Sequence, residues 1–131
     1  MKTLILTPTQ NEFDCLVRGC VRFGFKLENS KAGRLPVAEF SQLKATVAVG
    51  GTGKAQFAVH TQHLLDSGTD WTLVICAGGA GALTDTVNIG DVVIATAIVE
   101  HDYRNRFNQR PLPRFEVDEG AVKRPPAKPE A

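Results

Sequence analysis

The chain has 131 residues, 43% of them apolar and 22% charged, with 15 Lys and Arg against 14 Asp and Glu. That length suits one ordinary domain, and a formal charge of +1 supplies no global attraction for nucleic acid or an anionic membrane. No stretch approaches the ~20 unbroken apolar residues of a membrane-spanning helix.

Met1–Leu6 is too short an apolar run for a signal peptide, and Pro8 follows closely. Cys15, Cys20 and Cys76 are an odd, sparse set without a Cys-x-x-Cys pair, which points to a reducing compartment, with the thiols as small buried apolar groups. A cytoplasmic location is expected.

Thr3 to Thr7 is a short β-rich run ended by Pro8 and reads as a first strand. Thr9-Gln10-Asn11-Glu12 has the capping-box form, and Phe13, Leu16, Val17, Cys20 and Val21 fall on one helical face, with Gly24 as the stop. Gly33 and Pro36 break residues 25–43 into short pieces, a hairpin or two edge strands. Ala45 to Val49 is the next strand, followed by a glycine-rich turn. A helix from Lys54 to Ser67 should bury Phe57, Ala58, Leu64 and Leu65 and stop at Gly68. Trp71 to Ala77 reads as a parallel strand covered on both faces. After Gly78–Ala82 and the turn Asn88-Ile89-Gly90-Asp91, a strand runs from Val92 to Val99. This alternation predicts an α/β domain with a mainly parallel sheet. Residues 116–131 hold three prolines and seven charges, and are expected to form a disordered tail beyond a domain of residues 1–115.

Two glycine-rich turns follow predicted strands, at the edge where open parallel sheets bind ligands. Gly50-Gly51-Thr52-Gly53-Lys54 fails the phosphate-loop pattern, because Ala48 replaces its first glycine and Ala55 follows the lysine. Gly79-Ala80-Gly81 fails the dinucleotide fingerprint at Thr84. Either turn can bring bare backbone to a ligand, or simply join a strand to the next element. Glu12 also reads two ways: as the helix cap partner of Thr9, or as a carboxylate that takes a proton from water. His60 and His63 share a helix face, but no third metal ligand clusters beside them, so no metal is expected. His101-Asp102 closes the last strand, and Arg104, Arg106, Arg110 and Arg114 form a basic stretch whose default is a solvated loop. Cys76 reads as inert core.

Four landmarks in order carry a resemblance: Glu12 after the first strand, Val49–Ala55, Cys76–Leu83, and Val87–Ile94 with His101-Asp102 beyond. Together they resemble the N-terminal half of the nucleoside phosphorylase/nucleosidase superfamily, and within it the methylthioadenosine/S-adenosylhomocysteine nucleosidases. The resemblance covers about residues 1–115. It implies a three-layer α/β/α phosphorylase/hydrolase-like fold around a mixed, mainly parallel sheet, here truncated, assembled as a homodimer or larger oligomer. It also implies hydrolysis of a purine nucleoside, with Glu12 activating the water, and with Thr52, Gly79, Ala80 and Gly81 bordering the substrate. No cofactor is implied.

The phosphorylase branch carries a Gly- and Arg-containing loop after its first strand. Here Thr7–Glu12 has no arginine, which favours water as nucleophile over phosphate. Two departures stand out. Gly79 occupies a position where the nucleosidases usually have serine, and the family's ribose-gripping Met-Glu pair and purine-protonating Asp have no counterpart after Phe115. A non-catalytic nucleoside-binding or assembly module is therefore an alternative to the hydrolase, and a phosphate-dependent phosphorylase a third.

Overall fold

The computed structural model describes residues 2–67 and 70–99, together with the backbone of 114–116. It divides into two units, residues 1–80 and 81–131.

The first unit is built on β1 (Thr3–Thr7), α1 (Gln10–Arg22), β2 (Glu28–Ala32), β3 (Leu35–Phe40), β4 (Ala45–Val49), α2 (Lys54–Leu65) and β5 (Leu73–Cys76). The sheet order is β2-β3-β4-β1-β5. β1 lies parallel to both β4 and β5, in register Thr7 with Val49 and Leu6 with Cys76. β2–β3 and β3–β4 are antiparallel, so the sheet is mixed.

Alternation along the strands sends successive side chains to opposite faces. Leu4, Leu6, Val37 and Ala48 form one core cluster with Leu64 of α2, joined by Phe57 and Trp71. Val47, Ala38 and Phe40 form the other, against Phe13, Leu16, Val17 and Cys20 of α1. The helices therefore cover opposite faces, giving the α/β/α layers expected from the resemblance. Connection handedness explains why. The chain moves one way from β1 to β4 and back across β1 from β4 to β5, and right-handed crossovers in opposite directions must lie on opposite faces.

Several expectations are corrected. Pro36 does not break its segment but pairs with Lys31 inside β3; β4 joins β3 only from Val37, so the missing N–H lies outside that ladder. On α2, Phe57 and Leu64 are seven residues apart and share the sheet-facing stripe, whereas Ala58 and Leu65 are rotated away and exposed. β5 is shorter than expected: the ladder to β1 begins at Leu73, opposite Thr3, and Thr72 before it donates its N–H to the Lys2 carbonyl at 2.9 Å. Nor is it covered on both faces: Val74 is 42% and Ile75 37% exposed. Of the cysteines, Cys15 and Cys76 are exposed and Cys20 half-buried, so they are not the buried groups expected, and Cys76 is not core.

In the second unit the Asn88–Asp91 turn forms as expected: the Asp91 N–H donates to the Asn88 carbonyl at 3.1 Å, and Gly90 has φ +95°. The expected strand from Val92 is reduced to β6 (Ala97–Val99), paired antiparallel with β7 (Arg114–Glu116). Val92, Val93 and Ile94 precede it, largely exposed. Gly68, His101-Asp102, the arginines 104, 106 and 110 and the residue 117–131 stretch lie outside the described residues. Among those described, no helix is long and apolar enough to cross a membrane.

Candidate active site

Three parallel strands end side by side, and each hands the chain to a different turn. The Gly50 N–H donates to the Thr7 carbonyl and the Ala77 N–H to the Leu6 carbonyl, both at 2.8 Å, so the turns after β4 and β5 are fastened to the end of β1. The helix after β1 leaves toward one face and the helix after β4 toward the other, the arrangement in which open α/β sheets place ligands beyond the carboxyl ends of their strands.

Glu12 stands in the first turn of α1. Thr9, extended at φ −124° and ψ 160°, caps that helix, and the reciprocal capping box forms. Glu12 Oε2 accepts from the Thr9 hydroxyl at 2.5 Å and from the Thr9 N–H at 2.9 Å. Oε1 accepts the Gly79 N–H at 2.7 Å, a contact spanning 67 residues of sequence. The Thr9 hydroxyl, then the Gly79 amide, hold the Glu12 carboxyl below the usual carboxylate range, against a smaller opposing effect of burial. Glu12 is therefore an anion at neutral pH with diminished appetite for a proton, and both roles foreseen for it draw on the same atoms.

Gly78 makes the approach feasible. A Cβ there would lie 2.9 Å from Glu12 Oε1 and 2.9 Å from Pro8 Cδ, so a side chain would push the carboxylate off the turn. The capping pattern already pointed to Thr9, but only as a helix cap. Nothing in sequence singled out Gly78 from its glycine-rich neighbours.

Of the residues expected to border a substrate, Gly79 meets Glu12 directly. Ala80 follows it, exposed; Thr52 is exposed on the neighbouring turn and shares no hydrogen bond with Glu12. Gly81 begins the second unit. Gly50 is required for packing, since a Cβ would collide with the Phe57 ring, while Gly51 and Gly53 have φ of +94° and +80°. The two histidines are engaged separately. His60 Nδ1 lies 3.3 Å from the Val49 carbonyl, and His63 Nε2 accepts the Arg34 N–H at 2.9 Å. Among the described residues no group of His, Cys, Asp and Glu could hold a metal ion.

A carboxylate tied to a glycine-rich turn at the end of parallel strands, on a mixed sheet with helices on both faces, is an arrangement of the α/β class. The family model of the phosphorylase superfamily matches residues 2–131, and the chain belongs to that superfamily. It is 38% identical over 82 residues to a 5'-methylthioadenosine/S-adenosylhomocysteine nucleosidase of Bacillus subtilis (strain 168), covering 59% of this chain and 35% of that protein. It is 37% identical over 98 residues to the nucleosidase of the same name from Geobacillus sp. (strain WCH70), covering 70% and 40%. With that of Bacillus pumilus (strain SAFR-032) the identity is 33% over 103 residues, covering 73% and 44%. The matched region thus spans less than half of each of these relatives. No solved structure matches the chain at comparable significance.

Proposed function

We propose that the chain serves hydrolysis of a purine nucleoside of the methylthioadenosine or S-adenosylhomocysteine class, with Glu12 as the acceptor of the water's proton. The observation that carries this is the Glu12–Gly79 contact at the parallel-strand edge, in a chain similar to nucleosidases. In the reaction, water oxygen bonds to the ribosyl C1′ as the C–N bond breaks. Glu12 takes a water proton, and the base departs with the bonding electrons and gains a proton of its own. The turns carrying Thr52 and Gly79-Ala80 would border the nucleoside. Water is favoured over phosphate because Thr7–Glu12 contains no arginine. A homo-oligomer in the cytoplasm goes with this proposal, and light scattering tests the assembly.

Incubating the chain with methylthioadenosine and following free adenine by chromatography tests the reaction. Release that is independent of phosphate and lost in Glu12→Gln is expected; release in the variant at the wild-type rate would sink the mechanism, and dependence on phosphate would make the reaction phosphorolysis. One observation favours a non-catalytic nucleoside-binding role instead: three donors stabilise the Glu12 anion, which suits holding a ligand better than accepting a proton. Thermal stabilisation by methylthioadenosine without adenine release would select it.

A further inference from the structure

Thr9 meets Glu12 three times. Its hydroxyl accepts the Glu12 N–H at 3.3 Å and donates to Oε2 at 2.5 Å, while its own N–H donates to the same oxygen at 2.9 Å. A carboxylate offers about four acceptor positions, two on each oxygen, so Thr9 fills those of Oε2. The Gly79 N–H takes one on Oε1. The remaining position is on Oε1.

We propose that Thr9 is the positioning residue of this site, fixing Glu12 so that Oε1 rather than Oε2 is the oxygen that meets water or ligand. Only the identity of what Oε1 meets rests on the hydrolytic function proposed above; the orientation of the carboxylate stands apart from it.

Thr9 is itself well anchored. Thr7, 1% exposed, donates its hydroxyl to the Thr9 carbonyl at 3.3 Å, and that carbonyl also accepts the Phe13 N–H at 3.1 Å. The β-branch of Thr9 restricts its χ1. The charged neighbours leave the Thr9 bonds in control. Asp14, in the next turn of α1, is engaged by the Gln10 amide at 2.8 Å on the exposed side. Cys76 of β5, exposed at its surface but partly desolvated at its thiol, has its pKa raised first by that desolvation and then by the Glu12 charge, so it stays neutral through the acid range where Glu12 titrates. Pro8, Gly78 and Gly79 bring no charge.

The test is a side-chain carbon NMR titration of Glu12 in the 131-residue chain, compared with Thr9→Val and Thr9→Ser. The midpoint should move up in Thr9→Val and return toward wild type in Thr9→Ser, whose hydroxyl reproduces the bonds. A Thr9→Val midpoint equal to wild type, with the α1 amide signals intact, overturns the proposal. If Thr9→Val does not fold, the unmutated chain still decides. The Thr9 amide and Cβ signals should titrate in step with the Glu12 carboxyl, and indifference to pH overturns it. With methylthioadenosine, Thr9→Val should lower kcat about 10- to 100-fold with KM little changed. Absence of adenine release from wild type would remove the hydrolytic function but leave the titration to judge Thr9.

Discussion

The Gly79 amide and the Glu12 carboxylate, one after β5 and the other on α1, are joined at 2.7 Å. That bond ties the first helix to the far turn, and it exists because Gly78 has no side chain to stand between them.

Gly78→Ala should therefore act on both Glu12 and the turn that carries Gly78. The added methyl forces Oε1 away from Gly79, since the Pro8 ring cannot yield. Loss of that bond raises the pH at which Glu12 titrates, and the contact with the Pro8 ring, also 2.9 Å from the added methyl, should cost about 1–3 kcal/mol of global stability. Carboxyl NMR and urea denaturation measure the two effects separately.

Glu12→Gln should separate capping from chemistry. Glutamine also completes a capping box, so the thermal midpoint should stay within the few degrees that about 1 kcal/mol represents. Adenine release, by contrast, should fall by a factor of about 10²–10⁴.

Acid should weaken the wild-type chain through Glu12. Its folded pKa lies below the ordinary value of 4.5, so the unfolded chain binds the proton more readily. The stabilisation is complete above that value and disappears as pH falls through the folded pKa. Urea midpoints at pH 7 and pH 3 should differ more for wild type than for Glu12→Gln, and equal differences would contradict the sign.

The hairpin between β2 and β3 is latched to α2 at a position with no room for a methyl. Gly33 has φ +58°, and a Cβ there would collide with the His63 ring. Gly33→Ala should cost about 1–3 kcal/mol. Adding His63→Ala should recover the steric part of that loss but not the backbone part, a non-additivity that a double-mutant cycle measures.

Leu64 is fully buried and is the only fully buried residue of α2. Leu64→Ala should cost about 2–5 kcal/mol in urea denaturation, whereas Val59→Ala, on the exposed side at 66%, should cost little.

Local signals told most about local structure. The capping box of Thr9 and Glu12 located the start of α1 to the residue, and the runs Thr3–Thr7 and Ala45–Val49 located β1 and β4. Signals failed where tertiary context decides. Trp71–Ala77 is apolar but for Thr72 and so resembles a fully covered strand, but cover depends on what packs against it, which periodicity does not encode. The circumference of α2 is similarly ambiguous, with apolar residues on several sides. For the candidate site, Glu12 and Gly79 could each be named from the chain, but their contact could not, because it depends on β1 and β5 being neighbours. The importance of Gly78 is hidden for the same reason: it arises from space occupied by residues some seventy positions away.

β1 has a double duty. Leu4 and Leu6 fill one face of the core, Ile5 packs on the other, and the same five-residue segment ends in Thr7, whose hydroxyl steadies Thr9. Cohesion of the interior and the aim of the acid thus share one mounting. Loosening the interior beneath β1 should register first as a drift in the acidity of Glu12, which makes that carboxyl a built-in gauge of how tightly the sheet is held.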